Sequence, residues 1–253
     1  MLIFGLLLIA GGVGLYFFSQ SQKEKASKLK AGQATTVADV VDTYNQVADG
    51  LIKGNYAGIG VKISGTGEAA SPLTAEHSGS RALYYDAEVR REYEVDVETK
   101  DSNGNLTRSV EKRSETISHT GRHVPFYLAD GSGQKILVDM EGAEKVAEKS
   151  VDRFDPNPPT GYSGAARSRT LGYRYIEHLI PDGAKLYIVG EVSDKRGELS
   201  IVKPTEKGAL FVVSVKSEDE LVGSAESTAM WSRVAAVALA IIGAIVSVVS
   251  FVK

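Results

Sequence analysis

Two charge-free apolar stretches, one near each end of the chain, constrain the fold more than any other feature. Residues 2–18 contain no charged side chain. As a helix rising ~1.5 Å per residue they reach ~26 Å, close to the ~30 Å hydrocarbon core of a bilayer. Residues 234–252 are also uncharged and are entered through Trp231 and Arg233, an aromatic and a cation suited to the headgroup layer. A cleavable signal peptide is the rival reading of the first stretch. It lacks a basic region before the apolar run and a clear small-x-small cleavage site after it, so an uncleaved anchor is expected. The sequence thus divides into a first span (1–19), a basic juxtamembrane linker (20–35), a soluble domain (36–228) and a second span (229–253).

Cations set the orientation, because Lys and Arg beside a span tend to stay on the cytoplasmic side. Lys23, Lys25, Lys28 and Lys30 all follow the first stretch. This predicts an integral membrane protein of the bacterial plasma membrane type, with the middle region cytoplasmic. Beside the bilayer, the lysines either contact anionic headgroups or act as a topology signal only. The net charge of −3 is unevenly spread. Residues 23–30 carry +3, and Arg233 and Lys253 add +2, so residues 31–228 carry −8. An acidic domain repels phosphate backbones, which excludes nucleic acid as a partner. The sequence holds no cysteine, which excludes disulfides, thiol catalysis, thiolate metal sites and iron-sulfur clusters together.

Val37, Val40, Val41, Tyr44, Val47, Ala48 and Leu51 share one helical face, with Thr36 and Asp39 as a capping box and Gly54 as the stop, which predicts a helix over 36–52. Period-two patterning then predicts strands at 58–67, 81–99, 106–118, 123–129, 135–140, 169–179, 185–192, 198–202 and 209–215. Hairpin turns are expected at Asp101-Ser102-Asn103-Gly104-Asn105 and at Asp130-Gly131-Ser132-Gly133. A short helix is expected over 141–149, and Asp155-Pro156-Asn157-Pro158-Pro159-Thr160-Gly161 can only be a loop. Ser217 with Glu220 forms a second capping box, starting a helix able to run into the second span. The fold class is α+β: a mostly antiparallel β domain, as a sheet or partly open barrel, with flanking helices and two transmembrane helices as brackets.

The order of segments resembles the beside-membrane (BAM) or GIDE domain of the membrane-anchored RING ubiquitin ligases of mitochondria and plastids, the MULAN/MAPL type. The matching pieces are Val61-Lys62-Ile63-Ser64-Gly65 leading to Ser71-Pro72-Leu73, then residues 82–93, then Val124-Pro125-Phe126-Tyr127-Leu128-Ala129-Asp130 with Gly133, Val138 and Gly142-Ala143. Tyr175-Ile176-Glu177-His178-Leu179-Ile180-Pro181-Asp182-Gly183 and Leu186-Tyr187-Ile188-Val189-Gly190-Glu191 complete them. The resemblance covers about 37–221 and implies both flanking spans. The ligases carry a RING beyond the second span, whose zinc ions need about eight Cys and His ligands. Only Lys253 follows the span here, and four histidines are the only ligands of that kind. Ubiquitin transfer is therefore not expected, and the resemblance implies the anchored sensing or docking module of a RING-less prokaryotic relative.

Chemistry elsewhere is sparse, and no cofactor or metal is expected. His119 and His123 are four apart at a strand entrance and read as surface residues. His77 and His178 lack a visible partner. Gly65-Thr66-Gly67-Glu68 and Gly131-Ser132-Gly133-Gln134-Lys135 read as structural turns, not phosphate loops. Glu88, Glu92, Glu94, Asp96 and Glu98, with Arg90 and Arg91, read as solvated strand faces opposite Glu111, Lys112 and Arg113, or else as a charged docking surface. Ala236, Ala240 and Ala244, Gly243 with Ser247, and Ala10 with Gly14 are small-residue stripes that let the spans pack together or pair between subunits. Three functions stay open. The first is a non-enzymatic tethered module contacting a protein partner through Pro72, Leu73 and His77 and through Pro156, Pro158 and Pro159, with Lys23, Lys25, Lys28, Lys30, Trp231 and Arg233 at the lipid bilayer. The second is a hydrolase using His77 or His178 with distant carboxylates, and the third an oligomeric membrane effector.

Overall fold

The structure is a computed structural model that describes residues 2–48, 50, 54, 56–100, 105–160 and 168–252. Helix α1 (Leu2–Lys30) runs unbroken through the apolar stretch and beyond it. Residues 20–30, read from sequence as linker, form its last turns because Gln, Lys, Glu and Ala are good helix formers. Gly32, at φ +83°, turns the chain out of the helix. Helix α2 (Val37–Ala48) starts on its expected box. The Thr36 hydroxyl accepts the Asp39 N–H at 3.1 Å, and the Asp39 carboxylate accepts the Thr36 N–H at 3.2 Å. Of the helix expected over 36–52, residues 49, 51 and 52 lie outside the described residues. Helix α3 (Glu218–Val252) opens on the second box, where Glu220 accepts the Ser217 N–H at 2.8 Å. It continues without a break into the apolar stretch, and both long helices are long and apolar enough to cross a membrane.

The two long helices pack as an antiparallel pair along a seam of small residues spaced by seven. Gly5 faces Gly243, Gly12 faces Ala236, and the Ser19 hydroxyl donates to the Ala229 carbonyl at 2.7 Å. A Cβ on Gly12 would lie 2.9 Å from the Ala236 carbonyl oxygen, and one on Gly243 would lie 2.7 Å from that of Gly5, so only glycine permits this approach. On α3 the expected stripes contribute Ala236, Ala240, Gly243 and Ser247. On α1 it differs: the seam uses Gly5 and Gly12, while a Cβ on Gly14 would meet nothing within 4 Å. Residues four and seven apart share one helix face, so the spacing of four on α3 and the repeat of seven describe the same seam.

Between the helices lie twelve strands: β1 (Ile59–Glu68), β2 (Leu73–Thr74), β3 (Arg81–Lys100), β4 (Leu106–His123), β5 (Phe126–Ala129), β6 (Lys135–Val138), β7 (Glu144–Val146), β8 (Glu148–Asp155), β9 (Arg169–Pro181), β10 (Lys185–Ser193), β11 (Ser200–Val202) and β12 (Val212–Ser214). Pairings β1-β5-β6-β11-β10 return from β10 to β1, giving a small, partly open barrel, with β12 and β7 attached beside β10. Its interior is filled by Ile63, Phe126, Leu128, Ile136, Ile188 and Ile201, all nearly free of solvent contact. Gly65 and Gly67 lie in β1 and not in the turn read from sequence. A Cβ at Gly67 would meet Leu186 at 2.7 Å and Phe126 at 2.9 Å, so the glycine marks close packing. The β5–β6 turn is as expected, with Gly131 and Gly133 at positive φ. Helix α2 covers the barrel with Val37, Val40, Val41 and Tyr44, and the buried Asp194 carboxylate holds its exit by accepting the N–H of Tyr56 at 2.9 Å and of Gly54 at 3.1 Å.

A second sheet, β2-β3-β9-β8 with β4 on β3, is antiparallel throughout. The β3–β4 register carries from Tyr84↔His123 to Lys100↔Leu106 and brings Glu94 opposite Lys112 as expected. The turn residues 101–104 lie outside the described residues. Two expectations are corrected here. The segment read as a helix over 141–149 is instead a turn at Glu141-Gly142 followed by strand: β7 pairs in parallel with β12, and β8 pairs with β9. Arg91, read as solvated, is 1% exposed. Its guanidinium donates to Glu115 at 2.9 Å, Thr170 at 2.9 Å and Ser168 at 2.7 Å, tying β3 to β4 and to the start of β9. Arg90 takes the solvated side and pairs with Glu88.

Candidate functional site

The strongest constellation is the junction where the helix pair meets the barrel. Leu29, near the end of α1, has no solvent exposure and packs with Tyr187 of β10, Val212 of β12, and Leu221 and Val222 of α3. Burying one leucine in this way contributes about 1.5–3 kcal/mol. Around it run polar ties. Lys25 pairs with Glu144 at 2.5 Å, Lys28 reaches the Gly208 carbonyl at 2.7 Å, and Lys30 reaches Glu226 at 2.6 Å. The largely buried Lys62 of β1 pairs with Glu218, in the first turn of α3, at 2.9 Å. The Tyr187 hydroxyl is buried facing Glu218 without a hydrogen bond of normal geometry. Burial first, and then the Glu218 charge, raise the tyrosine pKa above its ordinary value.

Replacing Lys62 by Met is expected to lower domain stability by about 1–3 kcal/mol, because Glu218 is left part-buried without its cation. Denaturant unfolding in detergent measures this, and Lys62→Arg is expected to recover part of the loss. An unchanged midpoint in Lys62→Met would show that this pair does not join α3 to the barrel.

The structure places the sequence-predicted residues unevenly. Of the four lysines assigned to the bilayer, Lys25, Lys28 and Lys30 are engaged with protein groups, while Lys23 and Arg233 make no ion pair among the described residues. Those two line a groove of about 830 Å³ between α1 and α3. Trp231 is 63% exposed on α3. The two contact loops are not brought together. Leu73 lies opposite Ala82, which itself faces Pro181 of β9. Pro156, Pro158 and Pro159 follow Asp155, which faces Tyr173 near the other end of β9. Gly161 lies outside the described residues. The two loops therefore sit at opposite edges of the second sheet and opposite ends of β9.

His77 is fixed by Glu177, which the sequence placed beside His178 in the strand and not against His77. Glu177 is fully buried and accepts the His77 N–H at 2.6 Å, the Ser78 N–H at 3.4 Å and the Ser150 hydroxyl at 2.6 Å. Burial raises its pKa, but the hydrogen bonds from Ser150, Ser78 and His77 outweigh that and hold it below the usual carboxylate value. The period-two positions Tyr173, Tyr175 and Leu179 put Glu177 on their face of β9, which was the available signal. The His77 ring nitrogen lies 3.3 Å from the Glu88 carbonyl, and the ring stands edge-on to Tyr175. That arrangement positions a loop and does not poise a base against a serine. His119 bonds Asp86 at 2.8 Å and His123 lies 3.3 Å from Glu141, both on β4. Among the described residues no group of three His, Asp or Glu could hold a metal ion.

Comparison with known proteins gives two kinds of match. The family described as GIDE, E3 ubiquitin ligase, matches residues 94–249, from the middle of β3 into the apolar part of α3. The E3 ubiquitin-protein ligase SPL1 of Arabidopsis thaliana is 26% identical over 250 residues, covering 95% of this chain and 68% of the relative. The E3 ubiquitin-protein ligase SP1 of the same plant is 29% identical over 179 residues, covering 68% of this chain and 48% of the relative. No solved structure matches.

Proposed function

The chain belongs to the GIDE family of E3 ubiquitin ligases, and from that premise we propose that it is a membrane-tethered docking module that presents its β domain to a protein partner without itself transferring ubiquitin. The observation that carries this reading is the junction. Two helices of membrane-spanning length enter the domain without a break and are seated on it by Leu29, Lys25–Glu144 and Lys62–Glu218. A domain held this way meets partners in a thin layer beside the bilayer, which raises effective concentration without new contacts. The 253 residues supply no thiolate, and two of the four histidines are committed to Asp86 and Glu141, so zinc-RING chemistry would have to come from elsewhere. Lysines follow the first span and support a cytoplasmic position for the domain.

Proximity labelling from the intact chain, set against a soluble piece of residues 36–228, tests the tether. The intact chain is expected to label a set of membrane neighbours that the soluble piece misses. Identical sets would remove tethering from the function. In a reconstituted ubiquitination assay the purified chain is expected to form no ubiquitin conjugates, and their formation would overturn the non-catalytic half of the proposal.

A further inference from the structure

We propose that the groove between α1 and α3 is a seat for a single anionic phospholipid, whose phosphate lies between Lys23 and Arg233. The inference deepens the tethered-module reading and rests on it. The groove takes one face of each helix: Lys23, Ser27 and Lys30 from α1, and Met230, Arg233 and Val237 from α3. Its composition is graded along its length. At the domain end Lys30 reaches across to Glu226 at 2.6 Å, so the one carboxylate lining the groove is neutralised. Lys23 and Arg233 are left as cations without an ion pair among the described residues. Beyond Arg233 the wall is Val234 and Val237, at the start of the charge-free stretch.

A groove that is cationic at one end and aliphatic at the other matches an amphiphile with a negative headgroup. It does not match a free anion, which would leave the apolar wall wet, or a zwitterionic lipid, which would bring a cation against two cations. Helical side chains lean toward the N-terminus of their own helix. Because α1 and α3 run antiparallel, Lys23 leans toward the membrane and Arg233 toward the domain, so their charged ends converge along the groove. The sequence offered four lysines as a diffuse basic patch. The fold commits three of them to protein groups and leaves a two-cation site.

The test is native mass spectrometry of the full chain, extracted with mixed phosphatidylglycerol and phosphatidylcholine and compared across variants. Each near-surface cation favours an anionic lipid about fivefold, so the wild type is expected to retain phosphatidylglycerol over phosphatidylcholine by roughly 25-fold. Lys23→Gln with Arg233→Gln is expected to abolish that preference, and each single change to reduce it about fivefold. The charge-matched control Arg108→Gln with Lys112→Gln, on the β3–β4 hairpin, is expected to leave it intact. Equal loss in the control would mean diffuse attraction to net charge. Persistence in the double variant, or displacement by inorganic phosphate, would overturn the lipid seat. Flotation with pure phosphatidylcholine vesicles separates the two levels: a chain that floats but shows no preference disproves the seat alone, whereas a chain that does not float disproves the tether as well.

Discussion

Replacement of Glu177 by alanine is expected to lower the stability of the β domain by about 2–5 kcal/mol, among the largest effects of any single substitution in this chain. The carboxylate has no solvent contact and accepts three hydrogen bonds, from the backbone of His77 and Ser78 and from the Ser150 hydroxyl. Its removal takes the shared acceptor from all three donors in a part-buried site. In a domain of this size the melting midpoint should fall by roughly 5–15 °C, and Glu177→Gln, which keeps one acceptor oxygen, should fall less. A midpoint within a degree of wild type would mean that the loop carrying His77 is held by other contacts.

The same carboxylate gives the domain an acid limit. Its pKa is lower in the folded protein than in the unfolded chain. Its contribution is therefore fully present above the unfolded value of ~4.3 and is lost as pH falls through the lower folded value. Asp194 behaves alike: burial raises its pKa, and the hydrogen bonds from Gly54, Tyr56 and Tyr44 more than offset that. The domain should loosen below about pH 4, and Glu177→Gln should flatten that part of the stability curve relative to wild type.

The second large effect is expected in the helix pair. Gly12→Leu places a side chain where even a Cβ would lie 2.9 Å from the Ala236 carbonyl oxygen. The helices must separate by on the order of 2 Å, toward the 8–10 Å of ordinary packed pairs. Overpacking of this kind costs about 1–3 kcal/mol. Because the chain has no cysteine, spin labels can be introduced through cysteines at Ile3 and Ile245, which are 74% and 58% exposed. The wild-type distance distribution should be narrow and that of Gly12→Leu longer and broader. Coincident distributions would show that the glycine seam does not set the spacing.

Local rules read much of this fold, and the residues where they failed share a cause. Both capping boxes, the β5–β6 turn and strands β1, β3, β4, β9 and β10 were legible because each is specified within a few residues by side-chain oxygens, glycine conformations or period-two patterning. Residues 141–149 were misread because Ala, Glu and Lys favour helix locally. Their partners, Val212–Ser214 and the end of β9, are distant in sequence and supply the pairing that overrides propensity. Arg91 was misread because adjacent arginines on a strand point to opposite faces, and composition does not say which is inward. Leu83, Tyr85, Ala87 and Val89 alternate inward before it, and continuing that count would have placed Arg91 inside. The junction was half legible: its lysines were visible, but their partners Glu144, Gly208 and Glu226 are long-range.

The absence of any break between the apolar turns of α1 and α3 and the seat of Leu29 has a mechanical consequence. Helices longer than the hydrocarbon layer they cross incline to match it. With continuous helices clamped at both Lys25–Glu144 and Lys62–Glu218, that inclination cannot be absorbed by a hinge and is passed to the barrel as a whole-body swing. In a bilayer thinner than the spans, the angle at which the β domain stands over the surface is thereby expected to follow the thickness of the lipid, as a shaft sets the bearing of a vane.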